Sequence, residues 1–298
     1  MTAYPDRDIQ AIFGMCASAT TVEAGYERIM TLDTLVAGVH FPVETTALDI
    51  GYKSVAVNLS DLAAMGAEPR WLYLSLSIPE WDTQWLQSFW QGMLELMSDI
   101  RLAAVVVYRG ELTVSVEAHG TVPAGEAILR SGAQINDAVY VTGTLGDAGY
   151  GLQQPDADLY LLHRLNRPTP RIETGICLRG IAHAMIDISD GLLADLGHLA
   201  QASSVSIQIE QERVPVSPNL LQCAGSEQAL QYALSSGDDY ELCFTMPVEK
   251  EDLLAACTAS TGLRFTRIGT VSAGKGVQLL DHNGSPVTNT TRGYDHFA

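Results

Sequence analysis

MIDISDGLLADLGHLAQ, residues 185–201, reads as a short strand, a tight turn and a helix. The apolar Met185 and Ile186 run into Asp187. Asp190 follows three residues later, then Gly191, then apolar positions at helical spacing. Asp and Ser suit helix starts, and Gly permits the sharp turn. One reading is therefore a capping box. The other is chemical: two carboxylates and a hydroxyl on one turn collect a hard cation, which prefers oxygen ligands. A strand that feeds a helix through such a turn is a building unit of an α/β domain.

Outward from this stretch the pattern continues. Residues 138–143 read as a strand ending in Gly-rich turns, and 157–166 and 171–184 as helices split by the breaker RPTP. On the other side come a strand at 204–210, a helix at 226–236, a strand at 240–246 and a helix at 249–262. Two short strands follow within 264–280. Upstream, the segment 119–133 carries Gly and Pro and reads as a domain junction. Before it lie a strand within 29–41 that enters a Gly loop, a helix at 47–66, a strand at 70–78 closed by Pro79, and a helix at 80–100. Strands at 102–108 and 111–118 flank the Arg109-Gly110 turn. Residues 1–30 are weakly patterned. The pattern predicts two domains, 1–122 and 123–298. The first is an α+β layer on a mixed or antiparallel sheet, and the second is α/β. A chain of 298 residues has room for both.

Composition narrows the function. Apolar residues make up 47% and charged residues 17%, which excludes a disordered chain. The 17 basic and 35 acidic residues leave a net charge of −18. Such a surface repels nucleic acid and anionic membranes. A phosphate ligand then has to be neutralised largely by metal ions on carboxylates. The five cysteines are odd in number and lack C-x-x-C spacing, so neither a disulfide framework nor a zinc site is expected. Most read as reduced core residues of a cytoplasmic protein. The N-terminus has no apolar signal-peptide region, and no apolar run is long enough to cross a bilayer. P-loop, G-x-G-x-x-G, H-E-x-x-H and G-x-S-x-G motifs are absent.

Four further segments hold candidate residues. SGDDYEL at 236–242 sets Asp238 beside Asp239 after Gly237, either as a surface turn or around something positive. NLSDLAAMGA at 58–67 places Asp61 among small and apolar side chains, where it either lies near a helix start or meets a ligand. DTLVAGVHF at 33–41 puts Asp33 at a strand end and His40 after a Gly loop. LRSGA at 129–133 carries Arg130, whose planar fork suits phosphate or an interdomain ion pair. Acids at strand ends and helix starts, in a chain short of bases, suit Mg²⁺-bridged phosphate chemistry.

TLDTLVAGVHF, YKSVAVNLSDLAAMGAEPRW, LRSGA, DISDGL, SGDDYELCF and GYDHF, in that order, closely resemble the thiamine-monophosphate kinase family. That family belongs to an ATP-binding superfamily that includes aminoimidazole ribonucleotide synthetase and selenophosphate synthetase. The resemblance runs from Gly14 to Phe297. It implies two domains, with the N-terminal ones pairing in a homodimer. It also implies transfer of the γ-phosphoryl of ATP to thiamine monophosphate, giving thiamine diphosphate. By the same resemblance Asp33, Asp61, Asp187 and Asp190 are Mg²⁺ ligands, Ser189 and Arg130 contact ATP, and His40, Asp238 and Tyr294 contact thiamine monophosphate.

Three motifs depart from the family pattern. Gly-Asp-Asp is Gly14-Met15-Cys16 here, and Ser-Thr-Asp is Thr31-Leu32-Asp33. Gly-Gly-Asp-Thr-Thr-Arg-Gly is Ala104-Val105-Val106-Val107-Tyr108-Arg109-Gly110. These losses of carboxylate and glycine give an alternative expectation. It is a catalytically impaired or inactive member that binds thiamine phosphate or a partner subunit.

Overall fold

The computed structural model describes residues 6–14, 20–154, 156–287 and 293. The chain divides into two compact units: 1–62 with 67–125, and 63–66 with 126–298.

In the first unit the described elements are α1 (Asp6–Phe13), β1 (Tyr26–Val36), α2 (Ala47–Ala64), β2 (Glu68–Ile78), α3 (Thr83–Leu94), β3 (Arg101–Arg109) and β4 (Thr113–Pro123). The four strands form one sheet in the order β1-β4-β2-β3. β4 runs antiparallel to both neighbours, and β2 pairs with β3 in parallel, so the sheet is mixed. The parallel pair requires a crossover, and α3 supplies it. That explains why the helix expected over 80–100 is shorter. Asp82 caps it by accepting from the amides of Gln84 and Trp85, and it stops at Leu94 so the chain can return to β3. Although consecutive in sequence, β3 and β4 are not neighbours, because β2 lies between them.

Alternation divides the strands into two faces. Leu35, Val114, Val116, Leu72, Leu74, Leu76, Val105 and Val107 are buried on one. The other exposes Met30, Leu32 (64%), Val106 (52%) and Tyr108. The helices α2 and α3 cross closely at two glycines. A Cβ on Gly51 would overlap the Phe89 carbonyl, and one on Gly92 would overlap that of Leu48.

The second unit holds β5 (Ala138–Thr142), α4 (Asp147–Gln153), α5 (Leu159–Asn166), α6 (Ile172–Cys177), β6 (Ala184–Asp187), α7 (Leu192–Ser203), β7 (Ser206–Glu210), α8 (Pro218–Ser235), β8 (Leu242–Met246), α9 (Glu251–Thr261), β9 (Phe265–Ser272), β10 (Gly276–Leu280) and β11 (Pro286–Val287). Its sheet has the order β11-β10-β7-β9-β5-β8-β6, parallel at β10–β7 and antiparallel at the other pairs. Val139, Val141, Ile186, Ile188, Leu196, Leu199, Ile207 and Cys243 share one core.

Two helix expectations change here. The stretch 171–184 is helical only to Cys177, and Gly180 (φ 69) lets the chain turn into β6. The helix expected at 226–236 begins at Pro218 behind the cap Ser217 and is kinked at Gly225 (φ 74). The last residues of α2 and the turn after it, Ala63–Gly66, count with this second unit for specific reasons. Arg179 Nε donates to the Gly66 carbonyl, and the Ile128 amide donates to the Met65 carbonyl. Gly175 lies so close that a Cβ would overlap the Ala63 carbonyl.

The expectation of reduced cysteines needs correction. Cys177 of α6 and Cys257 of α9 form a disulfide across 80 residues. No short-range spacing could signal it, because tertiary packing of the two helices brings the thiols together. Cys223 and Cys243 are free. Among the described residues, no helix is long and apolar enough to cross a membrane.

Candidate functional site

The expected site residues fall in both units. In the first, β1 carries Thr31 and Asp33 two residues apart, hence on one face of the strand. The Thr31 hydroxyl donates to Asp61 Oδ2 on α2, so Asp33 and Asp61 belong to one neighbourhood. Asp61 lies inside α2 rather than at a helix start, which removes the capping explanation for it. One turn earlier, Asn58 is fully buried. Its Nδ2 donates to the Ser54 carbonyl, and its Oδ1 meets no donor among the described residues.

His40 follows β1 in a loop closed by the bridge between Ala37 and Phe41. Its Nδ1 accepts from the Val36 amide at 3.0 Å. The neutral ring therefore carries its proton on Nε2, which is a donor. Lys53 of α2 is buried and donates to the His40 carbonyl at 3.3 Å, tying the loop to the helix.

Val106 is not part of this group within the unit. It lies on β3 and Asp33 on β1, the two edges of the sheet. Asp33 pairs with Val116 on the buried face, whereas Val106 pairs with Ser75 on the exposed one. Met15 and Cys16 lie outside the described residues.

In the second unit, β6 ends at the buried Asp187 and the turn 188–191 leads into α7. The turn is zipped to the loop 237–241. The Ile188 amide donates to the Glu241 carbonyl at 2.8 Å, the Tyr240 amide to the Ile188 carbonyl at 2.8 Å, and the Asp238 amide to the Ser189 carbonyl at 2.9 Å. Gly237 (φ 71) has to be glycine, because a Cβ would overlap the Ser189 carbonyl. Asp187, Ser189, Asp190 and Asp238 are thereby gathered together. Asp238 (φ 63) and Tyr240 (φ 51) adopt the left-handed region, a conformation L side chains adopt only when their surroundings enforce it.

The capping reading of DISDGL fails. The N-cap of α7 is Gly191 with no side-chain cap bond, so neither Ser189 nor Asp190 serves as the cap. Arg130 lies beside the edge strand β6. The Leu129 carbonyl accepts from the Met185 amide, and the Arg130 carbonyl accepts from Ser203 Oγ, leaving the side chain exposed. Tyr294 lies outside the described residues. Gly293, just before it, is close enough to the turn that a Cβ would overlap the side chain of Ala194.

Behind the loop lies a buried ionic cluster that the sequence pattern left unread. Glu241 accepts from Thr142 Oγ1, Arg164 Nη2, and both Nε and Nη2 of Arg171. Asp147 accepts from Thr144 and Ser217. Asp239 Oδ1 accepts from the Gly146 amide at 2.8 Å, while its Oδ2 has no partner among the described residues. Burial pushes the Asp239 carboxyl well above its ordinary range, against the pull of Arg164. The same desolvation raises Asp147. Asp239 is thus an interior group rather than half of a surface turn. One signal was available: Arg164, Arg167 and Arg171 stand within eight positions of a chain poor in bases.

Among the described residues, no group of three or more His, Cys, Asp or Glu side chains is arranged to hold a metal ion by itself. The candidate acids fall two to a unit: Asp33 on the strand face that Thr31 shares with Asp61, and Asp187 and Asp190 at the two ends of one turn. Paired carboxylates with hydroxyl and amide oxygens fit Mg²⁺, which is bound through one or two carboxylates plus substrate phosphates. The orphaned Asn58 Oδ1 is a further oxygen of that kind.

Comparison with known proteins gives consistent matches. Residues 14–126 match the family of AIR synthase related protein, N-terminal domain, and residues 134–282 match its C-terminal domain. The chain is 44% identical to the thiamine-monophosphate kinase of Salmonella typhimurium over 98% of its own length and 93% of that protein. It is similar to the crystal structure of thiamine-monophosphate kinase from Stenotrophomonas maltophilia, with a TM-score of 0.86 and 44% identity over 91% of this chain and 90% of that one. It is also similar to AaThiL complexed with AMPPCP and TMP, with a TM-score of 0.82 and 32% identity over 93% and 89% of the two chains.

Proposed function

The chain belongs to the thiamine-monophosphate kinase family, and from that premise we propose that it phosphorylates thiamine monophosphate with ATP. A phosphate oxygen of thiamine monophosphate bonds to the γ-phosphorus of ATP, the bond from that phosphorus to the β-phosphate oxygen breaks, and thiamine diphosphate and ADP leave. The observation that carries this reading is the locked turn of the second unit, which gathers Asp187, Ser189, Asp190 and Asp238.

Each residue has a role. Asp187 and Asp190 in one unit and Asp33 and Asp61 in the other would hold Mg²⁺, the former oriented by the turn and Asp61 by Thr31. When bound, Mg²⁺ neutralises and aligns the phosphates. The Ser189 hydroxyl and the Arg130 guanidinium contact the nucleotide phosphates. His40 presents its Nε2–H to the phosphate of thiamine monophosphate, because Nδ1 is already engaged by the Val36 amide. Asp238 and Tyr294 are the other residues for which family membership implies a contact with thiamine monophosphate. The attacking oxygen is already anionic at neutral pH, so the reaction needs positioning more than a base. The exposed apolar face of Met30, Leu32, Val106 and Tyr108 would be covered by a second copy, giving a homodimer in the cytoplasm, where ATP is available.

Incubating the protein with ATP, Mg²⁺ and thiamine monophosphate, and measuring thiamine diphosphate by chromatography, tests the proposal. Turnover that an Asp190→Asn variant loses supports it. No turnover, with thiamine monophosphate still bound, would overturn it in favour of a binding-only member.

A further inference from the structure

Asp195 lies inside the first turns of α7, 2% exposed, behind the turn that carries Asp187 and Asp190. Its Oδ2 accepts three consecutive amides, from Ser189 and Asp190 at 3.0 Å each and from Gly191 at 3.2 Å. Its own amide donates to the Gly191 carbonyl at 3.0 Å, so the turn is closed on itself in both directions. Three successive amides aimed at one point form a concavity of the kind that otherwise receives an external anion. Here the chain's own carboxylate fills it. With the amides drawn inward, the Ser189 side chain is exposed and that of Asp190 half-exposed. Neither caps the helix.

The two sides of the turn are held by different partners. The carbonyls of Ile188 and Ser189 accept from the amides of Tyr240 and Asp238. That zipper fixes where the turn sits in the sheet. It also holds the peptide units 188–189 and 189–190 from their carbonyl side, whereas Asp195 holds the same two from their amide side and reaches the unit 190–191, which the zipper does not touch. Only Asp195 engages those amides among the bonds described.

We propose that Asp195 is the positioning residue of the DISDGL turn: its carboxylate gathers the three amides and so sets the orientation in which Asp187 and Asp190 present their oxygens to a divalent cation. A corollary follows for phosphate. With its amide concavity occupied from within, the turn meets a nucleotide phosphate through the cation and the Ser189 hydroxyl rather than through its backbone amides. The inference rests on the metal-holding role given to Asp187 and Asp190 in the proposed function. Groups that orient metal ligands from behind typically change metal affinity 10–100-fold when removed.

The test is Asp195→Asn, which keeps the shape of the side chain but turns an acceptor-only group into one that must also place an NH₂. Hydrogen exchange is followed at the amides of 189–191 and along α7. Mn²⁺ binding in the presence of ADP is titrated by electron paramagnetic resonance. The expected result is at least about tenfold faster exchange at 189–191, with amides 196–200 unchanged, and Mn²⁺ affinity weaker by about 10–100-fold. The KM for thiamine monophosphate should stay within about twofold, since the zipper holding Asp238 is untouched. Asp195→Glu, which keeps the charge and displaces the oxygen by one methylene, should fall between the two. Unchanged Mn²⁺ affinity, or faster exchange throughout α7, would overturn the proposal. So would loss of the whole fold in both variants, which would make Asp195 a core residue. If the wild-type protein turns over no substrate, the kinase reading falls, while the exchange and Mn²⁺ measurements still decide the role of Asp195.

Discussion

In the second unit, Asp187 and Asp190 stand on a turn held on both sides, by the 238–241 zipper and by the Asp195 carboxylate. In the first unit, Asp33 lies within a strand and Asp61 within a helix, and the Thr31 hydroxyl joins their neighbourhoods. The departures from the family's motifs fall in the first unit alone. A turn whose four amides and the carbonyls of Ile188, Ser189 and Gly191 are engaged tolerates little change, because an alteration there strands a polar group. An exposed strand position such as Val106 has no such bonds to lose.

The comparison breaks most sharply at the ionic cluster behind the second unit's loop. Glu241→Gln should destabilise the protein by about 3 kcal/mol, because the largely buried Arg164 and Arg171 lose their common carboxylate and only Arg164 keeps another, Asp147. Asp239→Asn should change stability by less than about 1 kcal/mol, since burial already favours the neutral carboxyl and the amide is its isostere. Urea denaturation of both variants distinguishes the two, and equal losses would refute the assignment of charge within the cluster.

Next comes the turn itself. Asp190→Asn should lower kcat by about 10²–10³-fold with little change in thermal midpoint, because it removes a charge directed at the reacting phosphates. Steady-state kinetics with varied Mg²⁺ provides the check. A smaller effect follows from the disulfide between Cys177 and Cys257. Cys257→Ser should cost about 2–4 kcal/mol, because the bridge closes a loop of 80 residues in the unfolded chain. Denaturation of the wild type with and without dithiothreitol should give the same difference.

The smallest expected effect is in the first unit. Val106→Asp restores a carboxylate at a position exposed in the single chain and should alter the stability of the unpaired chain by no more than about 0.5 kcal/mol. Half-saturating Mg²⁺ for turnover should fall a few-fold if a second copy covers this face. An unchanged metal requirement would mean that position 106 is remote from the metal in the assembly as well as within the unit.

Local pattern made much of this molecule legible. Alternation located β2, apolar runs bounded by a Gly loop and the Arg109-Gly110 turn located β1, β3 and β4, apolar spacing and Gly66 located α2, and the run into Asp187 followed by Gly191 located the strand, turn and helix of the second unit. Order-preserving motifs brought Asp33, Asp61, Asp187, Asp190 and Asp238 forward as candidates. These features depend on periodicity and turn chemistry, which neighbours in sequence decide. The structure alone decided what long-range pairing controls. It set β2 between β3 and β4, put Asp33 and Val106 on opposite faces and opposite edges of one sheet, and joined Cys177 to Cys257. It also buried Asp239, surrounded Glu241 with two arginines distant in sequence, and turned Asp195 back onto the amides of its own turn. Whether a charged side chain is solvated, paired or used as an internal acceptor depends on its partners in space. For Glu241 and its arginines those partners lie 70 and 77 residues away, where a local pattern holds no record of them.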